Sequence, residues 1–94
     1  MIGSFSDKAL KALWERGRNK GIDPVSLQRL QELLTALHAA TKPQDMDIPG
    51  FAFHELKGNR KGQYAVEVRR NFRLIFEWEG GDAVKVRQED YHGD

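Results

Sequence analysis

The chain has no cysteine and only three prolines among its 94 residues. Without thiols there is no disulfide, no cysteine nucleophile and no cysteine-ligated zinc or iron–sulfur centre, a composition that suits a reducing compartment. No apolar run approaches the roughly 20 residues of a membrane span, so no membrane partner is expected. Met1 to Phe5 lacks the basic region and apolar run of an export signal, and a cytoplasmic location is expected. Internal repeats and low-complexity tracts are missing too, which leaves residues 1–94 as one expected domain with a single thin core. The chain also lacks GxSxG, a phosphate-binding glycine loop and an HExxH pair, which removes the commonest hydrolase and nucleotide-binding schemes.

The charge that is present is unevenly distributed. The net formal charge is only +1. Residues 57–73, however, hold Lys57, Arg60, Lys61, Arg69, Arg70 and Arg73 against the single acid Glu67, so that this stretch is +5 and the remainder −4. A basic block within a nearly neutral chain is the footprint of a polyanion site, because cations there meet phosphates while neutral surroundings limit indiscriminate binding.

Periodicity divides the chain in two. Ser6-Asp7 reads as a helix start, followed by Ala9, Leu10, Ala12, Leu13 and Trp14 at helical spacing and closed by Gly17. Asp23 caps a second helix with Pro24 in its first position, and Leu27, Leu30, Leu34 and Leu37 form its apolar stripe. Pro43 and Pro49 bound a connector that holds one helical turn at Gln44 to Met46. The period then falls to two. Strands are predicted at Phe51–Leu56, Gln63–Arg69, Phe72–Trp78 and Ala83–Asp90, with turns at Arg70-Asn71 and Gly80-Gly81-Asp82. Ile2 to Phe5 is read as a possible further strand. The expected class is α+β, with two N-terminal helices on one antiparallel sheet of four to five strands, in the order β-α-α-β-β-β-β.

Of the three histidines, His38 ends the leucine-rich helix, an ordinary placement for imidazole. His54 precedes the basic loop, and His92 closes the cluster Glu89-Asp90-Tyr91-His92. A terminal cluster of this kind suits chemistry better than packing. Cleaving RNA without a metal needs a base for the ribose 2′-OH, an acid for the departing 5′-oxygen and cations for the charge gathering on phosphorus. Imidazole, with a pKa of roughly 6.5, serves both proton transfers. Lys57, Arg60, Lys61 and Arg73 are the candidate phosphate contacts. Tyr91 is suited to stacking on a base or donating to a phosphate, and Asp90 to orienting an imidazole or acting as a base. No metal or other cofactor is expected. A basic face without a platform of several aromatics has little means of gripping free RNA in a sequence-selective way.

The strings His54-Glu55-Leu56-Lys57-Gly58-Asn59-Arg60-Lys61-Gly62-Gln63-Tyr64, Asn71-Phe72-Arg73-Leu74-Ile75-Phe76 and Asp90-Tyr91-His92 resemble the HigB toxins of the RelE-like superfamily, over essentially the whole chain. The resemblance implies a ribosome-dependent endoribonuclease that enters the decoding site and cuts mRNA. It also implies a helix-turn-helix, HigA-like antitoxin that neutralises the toxin and carries it to operator DNA. It assigns catalytic roles to His54, Asp90, Tyr91 and His92, and phosphate or transition-state contacts to Lys57 and Arg73. Two readings compete: a toxin of the same fold directed at DNA gyrase, as in the ParE branch, and a non-catalytic module that binds RNA or protein.

Overall fold

The computed structural model describes residues 1–91. Asp7 has extended backbone and accepts the N–H groups of Ala9 and Leu10 at 3.0 and 3.1 Å, which starts helix α1 (Lys8–Arg16). Gly17, at φ +67°, stops it: its N–H bonds the Leu13 carbonyl while that of Arg18 bonds Ala12. Asp7 also accepts the Gln88 N–H at 3.3 Å, so one side chain caps the helix and touches the sheet. Asp7→Ala is expected to lower the unfolding free energy by about 1 to 2 kcal/mol, read as a lower urea midpoint at unchanged slope.

A single 3₁₀ turn (Pro24–Ser26), capped by Asp23, precedes α2 (Leu27–Ala39). Leu30, Leu33, Leu34 and Leu37 of α2 are all fully buried. The connector contains the expected helical turn (Pro43–Met46). There the Thr41 N–H and hydroxyl both donate to Asp45, holding its carboxyl below the usual carboxylate range. The stabilisation from that shift is present at neutral pH and fades as pH falls through the lowered value.

Four strands follow: β1 (His54–Glu55), β2 (Gln63–Arg69), β3 (Phe72–Glu79) and β4 (Asp82–Asp90), paired in that order and antiparallel throughout. The β3–β4 turn needs positive φ at both central residues, which Gly80 and Gly81 supply at +60° and +88°. Residues Ile2 and Phe5 add isolated parallel bridges along β4 rather than a full strand. The predicted strand Phe51–Leu56 shortens to two residues for a local reason. Ala52 lies at φ +52°, which breaks the extended run, and Phe51 turns into the core.

Both helices cover one sheet face. Tyr64, Val66, Val68, Leu74, Phe76, Ala83 and Val86 pack there with the leucines of α1 and α2. His38 belongs to this packing: its Nδ1 accepts the Ile2 N–H at 3.2 Å and its ring lies 5.1 Å from Trp14. No described helix is long and apolar enough to cross a membrane.

Candidate active site on the open sheet face

The segment leading to His54 is fixed from the helical layer. Arg29 of α2 donates to the Gly50 carbonyl at 2.8 Å and the Glu67 carbonyl at 3.1 Å, and its guanidinium lies 4.9 Å from the Phe51 ring centre. The Glu67 N–H in turn bonds the Phe51 carbonyl. Left-handed Ala52 then presents its carbonyl oxygen 3.2 Å from His54 Nδ1. A carbonyl only accepts, so this contact places the imidazole proton on Nδ1 and leaves Nε2 as the basic nitrogen.

Register assigns His54 to the face without helices, directly across from Ala65, which opposes Ile75, which opposes Arg87. Three strand spacings separate β1 from β4, about 14 Å in a flat sheet. Yet the Tyr91 ring lies 6.0 Å from that of His54, inclined by 50°. Tyr91 therefore reaches back across the sheet. It forms a small second core with Leu56, Ala65 and Ile75, and the short side chain of Ala65 leaves room for that arrangement. The Arg73 guanidinium also lies over the Tyr91 ring, 5.6 Å from its centre. The Arg73 guanidinium donates to the Arg69 and Phe72 carbonyls, sits 3.7 Å from Glu67, and is only 19% exposed. Leu56, Lys57, Gly58, Arg60 and Tyr91 line a cavity of about 310 Å³ beside this group.

The basic block divides into cations with partners and cations without. Arg69 donates to Ser26 and Asp23 and ties the start of the second helical segment to the sheet. Arg60 is paired with Glu89. The side chains of Lys57, Lys61 and Arg70 have neither hydrogen-bond nor ion-pair partners among the described residues, and all three residues are exposed. Asp90 ends β4 opposite Phe72, so its register position belongs to the helix-covered face, although the residue is exposed at the sheet's rim. His92 lies outside the described residues. The structure thus gathers His54 and Arg73 against the Tyr91 ring, which with Lys57 and Arg60 lines the cavity. Among the described residues no cluster of three His, Asp or Glu has the arrangement of a metal site.

Sequence reasoning gave no role to Ala65 and Ile75 beneath the ring, or to Gln63, Arg87 and Glu89, which surround Arg60. Their signal was the alternate phase of each strand. Gln63, Ala65, Glu67, Ile75, Arg87 and Glu89 fall opposite the apolar positions that face the helices.

The same architecture occurs in YafQ from Escherichia coli strain BL21(DE3), with a TM-score of 0.61 at 20% identity over 96% of this chain and 91% of that one. It occurs also in YoeB from Staphylococcus aureus, with a TM-score of 0.61 at 16% identity over 98% and 95%. The chain therefore shares the fold of these two proteins. Residues 3–92 match the family model described as the RelE-like toxin of type II toxin–antitoxin system HigB. The chain is 37% identical over 92 residues to the endoribonuclease HigB of Proteus vulgaris, covering 98% of this chain and all of that protein. It is also 37% identical over 88 residues to the toxin HigB-1 of Vibrio cholerae serotype O1, covering 92% and 93%. The chain belongs to the HigB-like toxin family, whose members act in modules with an antitoxin.

Proposed function

We propose that this toxin is a ribosome-dependent, metal-independent endoribonuclease that cuts mRNA in the decoding site and so stops translation. The meeting of His54 and Tyr91 under Arg73, beside a cavity rimmed by cations, carries the reading. A base takes the 2′-OH proton, the 2′-oxygen bonds to phosphorus, the bond to the 5′-oxygen breaks, and an acid protonates that oxygen. His54, with Nε2 basic, suits the first transfer. His92 supplies the second imidazole, and Asp90, two positions before it in the chain and exposed at the sheet's rim, is the proposed orienting carboxylate. Arg73, Lys57 and Lys61 meet the phosphates, and Tyr91, its ring packed with Leu56, Ala65 and Ile75, is the proposed donor to a phosphate oxygen. The family's helix-turn-helix, HigA-like antitoxin is the proposed partner, and operator DNA is reached through it.

The test uses the purified chain, a 5′-labelled transcript and ribosomes programmed with it. Cuts are expected within the ribosome-bound codon and nowhere on free transcript. Chelation by EDTA is expected to leave the yield unchanged wherever sedimentation shows intact ribosomes. An uncut transcript together with inhibited supercoiling by DNA gyrase would move the toxin to the gyrase-directed branch.

A further inference from the structure

Glu89 stands on the open sheet face next to Arg60, where a bare carboxylate repels RNA. Its contacts account for it. Both Glu89 oxygens accept from Arg60 Nη2, at 2.9 and 2.8 Å, and one of them also accepts from Arg87 Nε at 3.1 Å. Gln63 Oε1 completes the frame, accepting from Arg60 Nε and Nη2 at 3.0 and 2.8 Å and from Arg87 Nη2 at 2.8 Å. Two guanidinium groups therefore share one carboxylate and one amide oxygen, and the four residues keep a net charge of +1. The link crosses 29 residues of chain and ties the 3₁₀ turn Gly58–Arg60, a wall of the cavity, to β4 just before Tyr91. Arg60 Nη1 has no hydrogen-bond partner among the described residues.

We propose that Glu89 and Gln63 are positioning residues that hold Arg60 against the cavity with Nη1 left to meet an RNA phosphate; this rests on the nuclease reading above. An untethered arginine beside a substrate must be ordered when the phosphate arrives. Here the ordering is already done by the frame, so the ion pair raises the rate although it adds an anion to the face. Glu89 acts through Arg60 and touches no reacting atom.

A double-mutant cycle on programmed ribosomes tests this, with Arg60→Ala, Glu89→Ala, the double variant and Glu89→Gln. Each alanine variant is expected to lower kcat/KM by about tenfold, and the double variant to do no worse than Arg60→Ala alone. Glu89→Gln keeps an acceptor oxygen and is expected to stay within about threefold of the parent. The Arg60 Nε–H resonance, sharp and protected from exchange in the parent, is expected to lose its protection in Glu89→Ala. Additive losses in the double variant would overturn the proposal. So would a Glu89→Ala variant with lower KM at unchanged kcat, since Glu89 would then only repel RNA. If the parent cleaves and the losses add, only this proposal falls. If the parent does not cleave, the nuclease reading falls and takes this one with it.

Discussion

Replacing His54 with alanine is expected to slow cleavage of ribosome-bound mRNA by about 100-fold or more, the scale for removing an acid–base catalyst. The fold should survive the change. His54 is one of only two residues in β1, and the stability of the domain resides in the other three strands and the helical layer. The substitution removes an imidazole whose tautomer is set by the Ala52 carbonyl and which faces Tyr91 across the site. Single-turnover rates measured beside urea unfolding curves separate the two effects. A variant that cuts at the parental rate would remove His54 from the chemistry, whatever the fold of its relatives.

The largest expected loss of stability comes from Leu30→Ala. Leu30 is fully buried in α2 at the centre of the layer that packs on the sheet. Truncation removes the transfer energy of three carbons and leaves a void that the surrounding leucines fill only in part, together about 2 to 5 kcal/mol. A domain of this size has roughly 5 to 15 kcal/mol in all, so the variant should unfold at a markedly lower urea midpoint. It should also expose the site to collapse, because Arg29, its neighbour in α2, fixes the segment before His54. A midpoint within error of the parent would show that the helical layer contributes little to the stability of the sheet.

The helices were legible because leucine spacing, Asp7 and Gly17 pointed the same way, although Asp23 and Pro24 open a 3₁₀ turn and α2 itself starts at Leu27; three of the strands were legible because alternation and turn chemistry agreed. The first strand was overdrawn, since an alanine such as Ala52 carries no mark of the left-handed backbone that neighbours impose on it. Charge was legible only as a sum. Arg60, Arg69 and Arg73 have acidic neighbours in Glu89, Asp23 and Glu67, and two of those lie far from the basic block in the chain. The identities of His54 and Tyr91 were readable as chemistry, but their approach was not. It depends on the Tyr91 ring crossing two strands over Ala65, a long-range fit that local pattern does not encode.

The ribbon before α1 closes the outer flank of β4. Gly3 and Ser6 donate to the carbonyls of Ala83 and Val86, whose own N–H groups bond Met1 and Ser4. At the opposite flank β1 offers just two residues of ladder. Neither side of the sheet thus presents a long row of unpaired amides to a second copy, which guards against aggregation by strand addition whenever the toxin is parted from its antitoxin.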